Sequence, residues 1–202
     1  MEDTNKKTID AYEVSIDQYI LNTPNKRGAV VEAWIDKAIK GLAQDAQILE
    51  IGSGYGRDAT YIEDKGFHVE KTDATQGFVD ILVGKDPTSH TLNIVTDEIA
   101  STYDLIIANA VLLHLNDEQT REATKKIYNA LHSQGTFAFT LKQGEGSAWQ
   151  TNKDMAPRFF NYWHKKDVVK ILSDTGFTSF DAWVDETDSP SAIWIMVVAR
   201  KA

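Results

Sequence analysis

"ILEIGSGYGRDATYIEDKGFHVEKTDAT", residues 48–75, decides how the rest of the chain is read. Residues 48–51 form a short apolar run interrupted only by Glu50, and Gly52, Gly54 and Gly56 then remove side-chain bulk from a turn. A helix is predicted from about Arg57 to Lys65, closed by Gly66, and "FHVEKTD" (67–73) reads as a second strand ending in an acid. Strand, glycine turn, helix and strand together make the unit that holds a nucleotide-like ligand at the turn.

The turn narrows the ligand. A triphosphate loop needs G-x-x-x-x-G-K-[ST], and no lysine follows the glycines here. A dinucleotide fingerprint, G-x-G-x-x-G, puts its third glycine where this chain has Arg57. Asp73, about 20 residues downstream, suits a dinucleotide or any other ligand with a ribose diol. Glu50 is a carboxylate near the end of a strand that is otherwise apolar. It suits a ligand with a positive charge close to the turn, such as an ammonium or sulfonium, better than a pyrophosphate.

Outward from this unit the periodicities alternate. Ile9, Tyr12, Ile16, Tyr19 and Ile20 lie on one helical face; Val30, Val31, Trp34, Ile35, Ala38 and Ile39 lie on another that ends at Gly41. A helix is expected around "GFVDILVG" (77–84), a short third strand at "TLNIV" (91–95), and a strand buried on both faces at "YDLIIANA" (103–110). Asn116 with Gln119 forms a capping box for a helix that turns Ala123, Ile127 and Leu131 inward. Ser133-Gln134-Gly135 turns the chain into "TFAFTLK" (136–142), and a helix from about Lys165 to Thr175 ends at Gly176. Between them, residues 143–163 make a loop rich in glycine and aromatics, longer than a connection needs, which marks it as functional or disordered. The last two strands, 180–186 and 192–201, are separated by about five residues, too few for a crossover, so they pair antiparallel. The expected fold class is α/β: a seven-stranded, mostly parallel sheet with a C-terminal antiparallel hairpin and helices on both faces.

The totals set limits. At 202 residues, 42% hydrophobic and 25% charged, the chain has the make-up of one ordinary globular domain. No apolar run approaches the roughly 20 residues that span a bilayer, and the polar start "MEDTNKKTIDAYE" has no apolar signal region, so a cytoplasmic protein without membrane attachment is expected. The absence of cysteine removes disulfides, thiolate metal sites and any cysteine nucleophile, and no metal-ligand set is assigned. A formal charge of −9 with no block of lysine and arginine disfavours nucleic acid as a partner; Lys125–Lys126 and Lys165–Lys166 are short pairs on helix faces.

Glu50-Ile51-Gly52-Ser53-Gly54-Tyr55-Gly56 resembles the E/D-x-G-x-G-x-G motif of class I S-adenosylmethionine-dependent methyltransferases. The likeness covers nearly the whole chain, through Asp73, "YDLIIANAVLLHL" and the closing hairpin. "GSGYGRDA", "LLHL" and "LKQGEG…FFNYW" further resemble a bacterial group of tellurite-resistance-type small-molecule methyltransferases. The resemblance implies a Rossmann-like three-layer sandwich over residues 1–202, with residues 1–45 as a helical cap on a core of 46–202. It implies S-adenosyl-L-methionine as cofactor, S-adenosyl-L-homocysteine as product, a small-molecule acceptor, and a monomer or homodimer.

It also assigns residues. The backbone of Gly52, Ser53, Gly54 and Gly56 passes under the methionine part, Glu50 receives the α-ammonium, and Arg57 follows at the helix start. Asp73 accepts both ribose hydroxyls with Ala74 beside it, Asp97 and Glu98 face the adenine, and Asn109 and Ala110 end the fourth strand at the mouth of the cleft. Tyr19 closes over the cofactor as part of the cap. Around the acceptor stand Tyr12, Lys142, Phe160, Tyr162 and Trp163, with His114 as candidate base; Trp149, Arg158 and Phe159 share the aromatic loop. His68 and His132 are read as structural. "Asn109-Ala110-Val111-Leu112" lacks the N/D-P-P-Y/F of enzymes that methylate nucleobase amines, which speaks against that acceptor. Two alternatives stay open: a cofactor-binding sensor or partner subunit that transfers nothing, and a dinucleotide-dependent oxidoreductase on a related sheet.

Overall fold

The computed structural model describes residues 3–23, 27–151, 155–185 and 192–202. Helix α1 (Thr4–Glu13) opens on Asp3, whose carboxylate accepts the Lys6 amide. The face predicted as one helix is two, because Ser15 leaves the helical conformation at φ −122° and α2 (Ile16–Asn22) restarts the chain. Tyr12 and Tyr19 meet across that break, with ring centroids 5.6 Å apart. Helix α3 (Ala29–Ile39) buries Trp34, Ile35, Ala38 and Ile39.

The core begins with β1 (Ile48–Ile51), buried at all its positions, followed by α4 (Arg57–Glu63), β2 (Val69–Asp73), α5 (Gln76–Val83), β3 (His90–Thr91) and β4 (Tyr103–Ala108). After a 3₁₀ turn at Leu112–His114 come α6 (Asp117–Ala130), with the predicted Asn116–Gln119 capping box, and β5 (Leu131–Lys142). Strands β6 (Ser147–Gln150) and β7 (Arg158–Asn161) precede α7 (Lys165–Thr175), β8 (Ser179–Asp185) and β9 (Trp194–Arg200).

The sheet runs β3-β2-β1-β4-β5-β9-β8. β9 is antiparallel to both of its neighbours, and the other pairings are parallel. The short link that implied the hairpin lies outside the described residues, yet the pairing from Ser179↔Arg200 to Asp185↔Trp194 is the one it required. Apolar side chains alternate between two layers. Trp34 and Ile35 of α3 and Ile62 of α4 pack with Ile48, Leu105 and Ile107 on one face; Ile127 of α6 and Leu172 of α7 pack with Leu49, Ile106 and Phe137 on the other. The Trp34 indole N–H, which burial would otherwise strand, donates to the Val197 carbonyl at 2.9 Å. Helix α3 therefore belongs to a layer against the sheet, although the sequence grouped it with the cap.

Other expectations shift in instructive ways. Of "TLNIV" only Thr91 is in β3, because the chain curls after Leu92: the Asp97 amide returns to the Asn93 carbonyl at 2.8 Å. Ser133-Gln134-Gly135 does not reverse the chain; it is an irregularity inside β5, where Gln134 takes φ +65° and the register with β4 slips between Tyr103 and Leu105. The loop expected over 143–163 contains the β6–β7 hairpin. Helix α1 is fastened across the sheet's end by polar side chains: Thr8 Oγ1 accepts the Phe159 amide at 3.1 Å and Asn5 Oδ1 accepts from Asn93 Nδ2 at 2.8 Å. From the α1–α2 break, Ser15 Oγ accepts the Ala156 amide at 3.1 Å. Because β1 leads to β2 on one side and the chain later crosses back to β4 on the other, a crevice opens at the carboxyl ends of β1 and β4. The α1 helix roofs it.

Candidate active site

A cavity of about 280 Å³ fills that crevice, floored by Ile51, Gly52 and Gly54, bounded by Asp73 and Ala74, and roofed by Tyr12 and Tyr19. Gly52 and Gly54 have φ of +71° and +55°, conformations open chiefly to glycine. At Gly52 a Cβ would also stand 2.4 Å from Val111 Cγ2. The turn directs the Gly54 amide at Asp73 Oδ2 and Thr75's at Oδ1, both at 2.8 Å. A carboxylate held this way faces the cavity as an acceptor, the arrangement that receives neighbouring hydroxyls. Burial raises its pKa, and the amides of Thr75 and Gly54 oppose that rise.

Gly52→Ala is expected to weaken ligand binding by about tenfold through the left-handed strain and displacement of Val111. Val111→Ala in the same chain removes the clash but not the strain. Calorimetry of the single and double variants should therefore find partial recovery; full recovery would exclude the backbone contribution.

Behind the turn lies a connected polar group. Arg57 donates to Asp58 at 2.8 Å, and Asp58 accepts from Asn109 Nδ2 at 2.7 Å. The Thr140 hydroxyl donates to Asn109 Oδ1 and accepts the Ala110 amide, each at 2.8 Å, which holds Ala110 at φ +57° on the cavity wall. Glu50 is 2% exposed, and its Oε2 has no hydrogen-bond partner. Burial, with repulsion from Asp58, pushes its carboxyl up to about 8. A buried acid with one oxygen unpartnered, beside a glycine turn, is a place prepared for a cation.

At the far end, Arg158 Nη1 donates to the Tyr12 hydroxyl at 3.1 Å, and Tyr12 lies 2.9 Å from His114 Nε2. His114 Nδ1 lies 2.6 Å from the Phe159 carbonyl. A carbonyl only accepts, so Nδ1 carries the proton and Nε2 takes the Tyr12 hydrogen. Burial holds this imidazole neutral, with its pKa lowered to about 3. His114 therefore lines the cavity as expected, but the lone pair of the expected base is already used. Lys142 reaches the same space with its ammonium 4.1 Å from the Phe160 ring centroid.

The cavity thus brings together Gly52, Gly54, Asp73, Ala74, Asn109 and Ala110 with Tyr12, Tyr19, His114, Lys142 and Phe160. Other expected residues do not line it. Glu50, Ser53, Gly56 and Arg57 lie behind the turn, Arg57 because its adjacent Asp58 captures the guanidinium. Asp97 folds back onto the Asn93 amide at 2.9 Å, and Glu98, its side chain 82% exposed, faces Lys126. Asn93 and Ile94 line the wall instead. Tyr162 packs over Gly144, and Trp163 is buried in the core. Sequence reasoning missed Thr8, Phe78, Asn93 and Trp194 as lining residues. Thr8 was accessible, one helical turn before Tyr12 on the same face. Asn93 carried no signal.

The comparisons agree with this architecture. A 1,6-didemethyltoxoflavin-N1-methyltransferase from Burkholderia thailandensis, solved with 1,6-didemethyltoxoflavin and S-adenosylhomocysteine, superposes with a TM-score of 0.78 at 16% identity, covering 100% of this chain and 92% of that one. The DhpI–SAH complex gives 0.76 at 14% identity, covering 98% of this chain and 97% of the other. TehB from Haemophilus influenzae gives 0.64 at 17% identity, over 95% of this chain and 67% of its own. No curated protein matches the sequence. Residues 25–180 match the family model described as a methyltransferase domain, and with the crevice, the glycine turn and Asp73 in place the chain belongs to that methyltransferase family.

Proposed function

We propose that this chain is an S-adenosylmethionine-dependent methyltransferase that methylates a small molecule by direct displacement, releasing S-adenosylhomocysteine. The observation that carries the reading is Asp73, oriented by the Gly54 and Thr75 amides at the wall of the cavity, with the unpartnered Oε2 of Glu50 behind the same turn. These residues fit the cofactor: a ribose diol at Asp73, a backbone without Cβ at Gly52 and Gly54 for close approach, and Glu50 behind the turn as a counter-charge to the α-ammonium. When bound, S-adenosylmethionine supplies a methyl group activated by its sulfonium charge.

The protein's own task is then to orient and to exclude water. Asp73 and the glycine turn fix one end. Tyr12, Tyr19 and Phe78, whose rings lie 5.3–6.2 Å apart, cover the cavity from above. The cavity continues from Asp73 to Lys142 without leaving the crevice, which supports an enzyme with room for an acceptor over a sensor that binds cofactor alone. The 1,6-didemethyltoxoflavin in the Burkholderia enzyme supports a small-molecule acceptor, as does the acidic charge of this chain.

Isothermal titration calorimetry of the purified protein with S-adenosylmethionine, S-adenosylhomocysteine and NAD tests the reading. Micromolar binding of both sulfur nucleosides and none of NAD is expected. Folded protein that binds neither sulfur nucleoside would refute it.

A further inference from the structure

Among the described residues the acceptor end of the cavity holds two cations and no carboxylate. Arg158 is 7% exposed, and its Nε is buried without a hydrogen-bond partner. Its guanidinium meets the Tyr12 hydroxyl and the faces of the Tyr12 and Phe160 rings. Lys142 stacks on Phe160 and Trp194, and its pKa is lowered by burial and by the charge of Arg158. Among the described residues neither cation has a carboxylate partner. Enclosing two like charges together without a counter-ion is costly, and an arriving anion relieves that cost.

Among the described residues the same space offers neither a carboxylate nor a free imidazole to remove a proton. His114 has both ring nitrogens engaged, Tyr12 already donates to it, and the Asp73 oxygens are directed at the cofactor end. An acid that is already ionised at neutral pH needs no such group.

We propose that the methyl acceptor is an acid reacting as its oxyanion (a carboxylate, phosphonate or phosphate oxygen), held by Arg158 and Lys142. This rests on the methyltransferase reading of the site. In the transfer a lone pair of the oxyanion forms the new O–C bond, the C–S bond breaks, and its electron pair remains on sulfur. One negative charge on oxygen and the positive charge of the sulfonium cancel in the ester and thioether, and no proton moves. The cationic groups lie against the faces of Phe160, Tyr12 and Trp194, so the body of the acid is flat or apolar.

The test uses protein saturated with S-adenosylhomocysteine and four probes: benzoate and phenylphosphonate, with benzamide and methyl benzoate as neutral counterparts. The acids are expected to bind at least about tenfold more tightly than the neutral pair, since hydrogen bonds to charged groups are the strong ones. Arg158→Met should reduce acid affinity at least about tenfold. Because Arg158 also braces Tyr12, Lys142→Met is the second variant; it should reduce acid affinity comparably and leave S-adenosylhomocysteine affinity unchanged. Neutral probes binding as well as acids, no acid binding to the nucleoside-loaded protein, or undiminished acid binding by Lys142→Met would overturn the proposal while leaving the methyltransferase reading intact. Failure of S-adenosylhomocysteine itself to bind would overturn both.

Discussion

Asp73→Ala is expected to weaken S-adenosylmethionine and S-adenosylhomocysteine binding by at least about 100-fold, the largest loss from any single side chain in the site. Two hydroxyls donating to one carboxylate contribute roughly 1.5–3 kcal/mol each, since the acceptor is charged. Asp73 also anchors the Gly54 and Thr75 amides, so the alanine variant disturbs the turn as well as the ribose. A ligand change separates the two effects. The wild type should bind 2′-deoxy-S-adenosylhomocysteine about tenfold less tightly than the parent nucleoside, as one charged hydrogen bond is missing. Asp73→Ala should scarcely distinguish the two. Equal discrimination by both proteins would mean that Asp73 only braces the turn and never meets the ribose.

The parts of this site that the sequence disclosed are those encoded by neighbouring residues. The run from Glu50 to Asp73 carries its own strand, turn, helix and strand signals, and the turn's Gly54 amide meets an acid only 19 residues away. The closing hairpin was legible because a short link forbids a crossover. Local reasoning failed where a side chain had a nearer or a much farther partner than the motif implied. Arg57 turned to Asp58, its immediate neighbour, and Asp97 turned to cap its own bend. His114 showed the opposite case. Its position was foreseen, but its state depends on Phe159 and Tyr12, which lie 45 and 102 residues away in the chain. The β6–β7 hairpin escaped for a third reason: all four residues of β6 are exposed, so no alternation of apolar and polar side chains announces it.

Glu50→Gln should move stability and affinity in opposite directions. In the ligand-free protein the folded state holds the Glu50 proton more tightly than the unfolded chain, with a pKa of about 8 against an ordinary value of 4.5. Burial is the main cause and Asp58 the second; Ser53, Arg57 and Lys71 oppose them. A raised carboxyl pKa makes the unfolded chain ionise first, so Glu50's contribution is fully present below 4.5 and declines as pH rises towards about 8. Glutamine carries no such dependence. Without cofactor at mildly alkaline pH, Glu50→Gln should melt a few degrees higher than wild type, since about 1 kcal/mol shifts a domain of this size by roughly 2–4 °C. With cofactor the order reverses, because the α-ammonium finds no counter-charge, and affinity should fall at least about tenfold. Wild-type affinity should also rise with pH from mildly acidic to mildly alkaline conditions, as fewer Glu50 protons must be displaced, while the glutamine variant stays flat. Thermal melts and titrations across that range read both quantities on the same samples. A variant that loses stability and affinity together, with an unchanged pH profile, would show Glu50 to be a structural acid rather than the cofactor's counter-ion.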